Sequence, residues 1–262
     1  MKVVLFAGGQ GIRLREHSER IPKPMVPIGY RPVLWHLMKY YAHFSHKDFV
    51  ICLGYRADAI KEYFLNYNEA MSNDFTLSKG GRGIDLLSSD IQDWRITFAE
   101  TGLHSNIGGR LRAVRKYVQG EDVFLANYGD VLTNAPLDEF IDEFKRSDKI
   151  AAFISVRPSY SFHVVGIRDD NIVTSIEPVA GSDIWLNAGF FMFRQEIFDY
   201  LHEGEELVEE PFNRLLKEEQ LMAFKYSGFW APMDTLKDHQ TLQELHDSGR
   251  APWALWSGVS HD

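Results

Sequence analysis

Three groups of residues in this chain could do chemistry. The first is Phe6-Ala7-Gly8-Gly9-Gln10-Gly11-Ile12-Arg13-Leu14, a glycine-rich turn directly after a short apolar run. Glycines there let backbone N–H groups approach a polyphosphate closely and point at it together. The turn is not a Walker A loop, because no Gly-Lys-Ser/Thr ends it. Nor is it a complete G-x-G-x-x-G, because Leu14 stands where the third glycine belongs. Taken alone it is weak evidence, because such a turn is more often simply a tight strand-to-helix connection. Local charge favours an anion site. Residues 1–31 carry Lys2, Arg13, Arg15, Arg20, Lys23 and Arg31 against only Glu16 and Glu19, in a chain of formal net charge −9. The second group is Lys23 itself, set between Pro22 and Pro24, which fix the backbone and aim one long cation at low entropic cost. The third is a pair of carboxylates. Asp130 follows an apolar run through a Tyr-Gly turn, and Asp234 opens the last helical segment, where it could be an N-cap or a ligand.

The elements that must position these groups alternate. Lys2 to Ala7 reads as a buried strand stopped by Gly8-Gly9. From Pro32, apolar residues at Val33, Leu34, Leu37, Met38, Tyr41 and Phe44 trace one helical face. A strand at 48–53, a helix at 57–65, a strand at 94–100, a helix around 109–118 and a strand at 123–127 follow. Then come a helix at 137–146 and a strand at 150–156. Strand–helix–strand order implies a parallel sheet with crossover helices, and ligand sites gather at the carboxyl ends of such strands, where Asp130 lies. Short β-like segments occupy 164–167, 172–177 and 186–193. Helices are expected near 211–219 and 235–248, with a strand at 222–226 between them. Residues 66–92, rich in Asn, Ser and Gly, read as a long loop or irregular insertion, more often functional or interfacial than idle. With no repeat or linker, residues 1–262 are expected to form one domain, its N-terminal half a nucleotide-type α/β unit and its C-terminal half a mixed sheet.

The chain has 262 residues, 45% in the hydrophobic set, with 28 Lys+Arg against 37 Asp+Glu. That composition suits a core-forming globular protein and disfavours a nucleic-acid binder, which needs a basic face. One cysteine, Cys52, excludes an internal disulfide. No apolar run approaches the ~20 residues that span a bilayer, and the N-terminal run is too short for a signal peptide, so its residues are expected to belong to the fold. A soluble, cytoplasmic protein without membrane or nucleic-acid partners is the expectation.

Ala-Gly-Gly-x-Gly-x-Arg-Leu followed by Pro-Lys-Pro-Met resembles the signature of sugar-1-phosphate nucleotidylyltransferases. Further blocks narrow the resemblance: Leu34-Trp35-His36, Gly54-Tyr55, Thr101-Gly102, Gly108-Gly109-Arg110-Leu111, Tyr128-Gly129-Asp130, Gly189-Phe190-Phe191, residues 228–236 and Ala251-Pro252-Trp253. Over nearly the whole chain these are most similar to the glucose-1-phosphate cytidylyltransferases. The resemblance implies a Rossmann-like α/β fold of the nucleotide-diphospho-sugar transferase type, with a mixed, mainly parallel sheet flanked by helices. It implies condensation of CTP with a sugar 1-phosphate to a CDP-sugar and pyrophosphate, Mg²⁺ as cofactor, and a homo-oligomer whose contact surface could include 66–92. By the same resemblance, Arg13, Lys23, Asp130 and Asp234 are catalytic and the two aspartates ligate the metal. Phe6, Ala7, Gly8, Gly9, Gln10, Gly11, Ile12, Arg13, Lys23, Ser105, Arg110 and Gly129 hold the nucleotide, although Arg110 could also simply stand at the N-terminal end of a solvated helix. His163, Glu177, Asn187 and Gly189 fall on the sugar-phosphate side.

The sequence departs from the family pattern mainly on that side. Ile12 replaces a loop threonine. The family's Glu-Lys-Pro appears as Ile176-Glu177-Pro178, and its Arg-Phe-Gly as Ser161-Phe162-His163. Losing a buried cation that pairs a phosphate costs on the order of 2–5 kcal/mol unless it is replaced, and His163 or Arg157 could replace it. The asymmetry raises a modified sugar or sugar-like phosphate as acceptor. A metal-dependent glycosyltransferase has little use for the glycine loop with Pro-Lys-Pro. The alternatives left open are a nucleotidyltransferase using another triphosphate and a silent nucleotide-sugar-binding subunit, which the missing lysine favours and intact Arg13, Lys23, Asp130 and Asp234 oppose. His36, His43 and His46 have no convincing third ligand, and Trp94, Trp185, Trp230 and Trp253 suit core packing as well as sugar stacking.

Overall fold

The computed structural model describes residues 1–9, 21–158 and 162–257. In chain order the strands are β1 (Lys2–Phe6), β2 (Pro27–Ile28), β3 (Arg31–Pro32), β4 (Asp48–Leu53), β5 (Phe75–Ser78), β6 (Gly83–Leu86) and β7 (Arg95–Glu100). They continue with β8 (Val123–Tyr128), β9 (Val131–Thr133), β10 (Ala151–Val156), β11 (His163–Ile167), β12 (Val173–Pro178), β13 (Leu186–Arg194), β14 (Leu221–Tyr226) and β15 (Trp230–Pro232). The helices are α1 (Val33–His43), α2 (Ala57–Leu65), α3 (Ile107–Ala113), α4 (Arg115–Val118), α5 (Leu137–Arg146), α6 (Glu210–Lys217) and α7 (Leu236–Asp247).

Seven strands form the central sheet in the order β14-β10-β13-β8-β1-β4-β7. β1 pairs in parallel with β4 and β8, β4 with β7, and β10 with β14. β13 alone runs antiparallel, between β8 and β10. The expected mixed, mainly parallel sheet is therefore present. Its middle strands are buried on both faces: Val3, Val4 and Leu5 are all fully inaccessible. One face packs Leu5, Ile51, Leu125 and Phe190 against α1 and α5 through Leu37, Tyr41, Phe140 and Phe144. The other packs Phe6, Cys52, Phe124 and Phe191 against α3 and α6 through Leu111, Phe212 and Leu215.

From β1 the chain steps outward to β4 and β7, then returns to lay β8 on the other side of β1. That reversal opens a crevice beyond the carboxyl ends of β1 and β8, where doubly wound sheets bind ligands. The glycine turn leaves β1 there, and Tyr128-Gly129-Asp130 leaves β8 beside it, with the Gly129 N–H donating to the Phe6 carbonyl at 3.2 Å.

The 66–92 segment is more ordered than its composition suggests. It holds the two-stranded hairpin β5–β6, turned through Gly80 and Gly81 at positive φ. Its strands expose alternate apolar side chains, so they lack the buried face that would have marked them. Residues 109–118 divide into α3 and α4, and α3 begins earlier than the apolar pattern indicates because the Asn106 side chain caps it, accepting from Gly109 N. A second ribbon, β9 with β15, is too short for periodicity to reveal. Among the described residues, no helix is long and apolar enough to cross a membrane.

Candidate active site

The β9–β15 ribbon solves the main positioning problem, which is that Asp130 and Asp234 are distant in sequence. Pro232 pairs with Val131, and the Met233 N–H donates to the Asp130 carbonyl at 3.0 Å, so the two aspartates leave neighbouring backbones. Asp234 does not cap α7. Thr235 does, its hydroxyl accepting from Asp238 N at 3.2 Å, while the Asp238 carboxylate accepts from the N–H groups of Thr235 at 2.8 Å and Asp234 at 3.1 Å. This capping box fixes the Asp234 backbone and leaves its side chain free to face the crevice.

Both carboxylates converge on Lys23. The lysine starts a 3₁₀ turn, Lys23–Met25, held extended on one side by Pro22. Its ammonium pairs with Asp130 Oδ2 and lies 2.5 Å from Asp234 Oδ1, with the side chain only 12% exposed. Burial works against its charge, but the two carboxylates outweigh burial and raise its pKa above the ordinary lysine value.

Arg110 is 2% exposed, so it does not belong to a solvated helix end. From α3 its guanidinium donates to the carbonyls of Leu53 (3.0 Å), Gly102 (3.0 Å) and Gly8 (2.9 Å) and to Thr101 Oγ1 (2.7 Å). It thereby ties together the ends of β1, β4 and β7. Gly8 permits this closeness, since a Cβ there would stand 2.1 Å from the Arg110 Nη1. Ser105 lies in the turn before α3 and donates its hydroxyl to the Thr101 carbonyl.

Beside these residues lies a cleft of about 390 Å³. Phe6, Gly8, Gly9, Ile107, Arg110 and Tyr128 line it together with Asp130, Asn187, Trp230 and Asp234, among others. Gly189, beside the lining residue Tyr128, has φ +78°, and a Cβ there would come within 2.4 Å of the Tyr128 ring. Its N–H donates to Asn187 Oδ1 at 2.9 Å. The structure thus brings together Phe6, Gly8, Gly9, Arg110, Asp130, Asn187 and Asp234 around one cavity, with Lys23, Ala7, Gly129 and Gly189 adjoining. Gln10, Gly11, Ile12 and Arg13 lie outside the described residues. His163 and Glu177 lie on the solvent-exposed hairpin β11–β12, opposite Pro178 and Val164, and neither lines the cleft. Sequence reasoning overlooked Tyr128 and Ile107 as walls, and it left Trp230 undecided. Trp230 lines the cleft and donates its indole N–H to the Ala188 carbonyl at 2.9 Å. Trp253 is fully buried and Trp94 packs on Phe49, so those two belong to the core.

Both carboxylates reach a single ammonium, so their oxygens are spaced to share one cation, and hard oxygen donors suit Mg²⁺. No group of three or more His, Cys, Asp or Glu stands ready to hold a metal among the described residues. Two protein carboxylates with substrate phosphates and water completing the shell is a normal arrangement for Mg²⁺.

The family model of the nucleotidyl transferases matches residues 2–245. The chain belongs to that family. Over 98% of its length, this family member is 38% identical to the whole of glucose-1-phosphate cytidylyltransferase from Salmonella typhimurium. It is 34% identical to the whole of a probable glucose-1-phosphate cytidylyltransferase from Bacillus subtilis. Among solved structures, a putative glucose-1-phosphate thymidylyltransferase from Bacillus anthracis superposes with TM-score 0.66 at 19% identity, covering 94% of both chains. HddC from Yersinia pseudotuberculosis gives 0.65 at 22% identity, covering 94% of this family member and 99% of that chain. These two establish a shared fold.

Proposed function

We infer that this nucleotidyltransferase condenses CTP with a sugar 1-phosphate, giving a CDP-sugar and pyrophosphate. The observation that carries the reading is that Asp130 and Asp234, which line the same cleft as Gly8 and Gly9, converge on Lys23. A phosphate oxygen of the acceptor attacks the α-phosphorus of the nucleotide, and pyrophosphate leaves in line. The acceptor phosphate is already nucleophilic, so the protein needs no general base. Its task is to hold two anions together and offset their repulsion.

Each residue has a part in that task. The turn from Phe6 to Gly9, continued by Gln10, Gly11, Ile12 and Arg13, offers backbone N–H groups and a guanidinium to the phosphates. Arg110 fixes the floor of the turn through the Gly8 carbonyl, and with Ser105 and Gly129 it shapes the nucleotide end. Asp130 and Asp234 would hold Mg²⁺, which when bound supplies positive charge to the reacting phosphates. For them to do so, Lys23 has to release the two carboxylates, and its ammonium becomes available to the phosphates. Asn187 and Gly189 lie toward the acceptor. His163 and Glu177, on the exposed β11–β12 hairpin, belong to the acceptor side in the same reading.

The test is pyrophosphate release with Mg²⁺ and each nucleoside triphosphate, paired with a panel of sugar phosphates that includes glucose 1-phosphate. Turnover that requires CTP supports the reading. Turnover with another triphosphate and none with CTP changes the base assignment, and no release with any pair sinks the proposal. Assembly as a homo-oligomer in the cytoplasm belongs to the same reading. It is supported by apolar side chains that the β5–β6 hairpin leaves in water, with Leu77 60% and Ile84 56% exposed.

A further inference from the structure

The family's sugar-phosphate lysine is replaced by Glu177, which the fold places on an exposed hairpin. A replacement cation should therefore be sought on the sheet face that floors the cleft. Asn187 lines the cleft and pairs across the sheet with Ser155 of β10, and Ser155 pairs in turn with Lys225 of β14. Residues in register on neighbouring strands share a face, so Asn187, Ser155 and Lys225 form one row. Strands stand about 4.8 Å apart, which puts the Lys225 backbone about 10 Å from that of Asn187, close enough for a lysine side chain to cover most of the gap.

Lys225 is not alone there. Its ammonium lies 5.1 Å from the ring centroid of Trp185, and the Arg157 guanidinium lies 5.2 Å from the same centroid. Trp185 enters β13 two residues before Asn187, and Arg157 leaves β10 two residues after Ser155. Two like charges are thus gathered on one indole. Their only carboxylate among the described residues is Asp183, which is 3.7 Å from Arg157 and fully exposed to water. Such a contact offsets little charge, so the cluster keeps a positive excess on the row that starts at Asn187, although none of its three residues lines the cleft itself.

We propose that Lys225 and Arg157, seated on Trp185, bind the phosphate of the acceptor in place of the missing lysine. This rests on the functional reading above and assigns its acceptor side. Both cations come from strand ends of the sheet, and the indole limits the freedom of two long side chains before a ligand arrives. That lowers the entropic cost of binding an anion.

The test titrates glucose 1-phosphate calorimetrically into protein already holding Mg²⁺ and α,β-methylene-CTP, which cannot turn over. Lys225→Met and Arg157→Met should each weaken glucose 1-phosphate binding roughly tenfold or more, with affinity for the nucleotide analogue unchanged. Lys225→Arg should recover most of the loss, and the salt dependence of acceptor binding should flatten in the methionine variants. Equal affinity in the variants and the unaltered chain overturns the inference. So does an unaltered chain that takes the nucleotide analogue but not glucose 1-phosphate. A chain that takes neither overturns the functional reading beneath it. Both side chains are exposed at the sheet margin, so the variants are expected to fold.

Discussion

At the scale of single residues, Lys23 holds two carboxylates that would otherwise repel one another across the cleft. The sequence marks it through flanking prolines and a basic surrounding, but its partners are legible only in three dimensions, because Asp130 and Asp234 meet through a ribbon of six residues. Replacing Lys23 with Met leaves the aspartates facing each other without a cation. Two results are expected. Turnover should fall by about 10²–10³, the usual cost of removing one preorganised charge from a site of developing charge. The melting temperature without divalent ion should drop, and added Mg²⁺ should raise it by more than it does in the unaltered protein, since the metal then meets no competing ammonium. Differential scanning fluorimetry across a Mg²⁺ series checks this, and an equal or smaller rise in the variant would contradict a shared position. Arg110 teaches a different lesson. Its helix was recognisable, but its buried contacts with three strand ends leave no mark on a local pattern.

At the scale of elements, legibility follows burial. The strands at 48–53 and 123–128 and the helices at 57–65 and 137–146 were readable to within a residue, because each carries a long apolar face or run. The β5–β6 hairpin looks like loop in the sequence because its apolar residues face water. The β9–β15 ribbon has only three residues a side, and its signal is a register that no single segment contains. The sequence pattern marks the start of α7 but does not separate cap from ligand at Asp234, and the Thr235–Asp238 box is what frees it. Thr235→Ala removes that cap. A loss of about 1 kcal/mol in unfolding free energy is expected, measurable by urea denaturation, together with weaker Mg²⁺ binding as the Asp234 backbone loosens. A variant with the stability loss but unchanged Mg²⁺ affinity would show that the β9–β15 pairing alone positions the carboxylate.

At the scale of the whole molecule, a buried and a half-buried histidine tie the fold to pH, and the exposed β5–β6 hairpin tests the proposed assembly. His36 bridges α1 to the chain after α7, with Nε2 on the Ile28 carbonyl at 3.0 Å and Nδ1 facing the Trp253 indole N–H at 3.3 Å. Burial pushes its pKa down to about 4, and His46 is pushed to about 4 by burial as well. Both folded values lie below the unfolded value of about 6.5. The stability they contribute is therefore full above pH 6.5 and is lost as pH falls toward 4. For His36 alone the linkage amounts to about 3 kcal/mol. The melting temperature should decline over that window, and His36→Gln should flatten the decline. Assembly makes the last prediction. On β5–β6, Leu77 and Ile84 face each other in register, both exposed, on a hairpin that adds nothing to either core layer. Polar replacement should then cost the protomer little, because these side chains already stand in water. It should cost a homo-oligomer much more, because the apolar area it buries there would be lost. Leu77→Ser with Ile84→Ser should lower the mass measured by light scattering while leaving the protomer's unfolding transition unchanged. An unaltered mass would place the contact surface elsewhere, and a lowered transition would mean that the hairpin packs on its own chain.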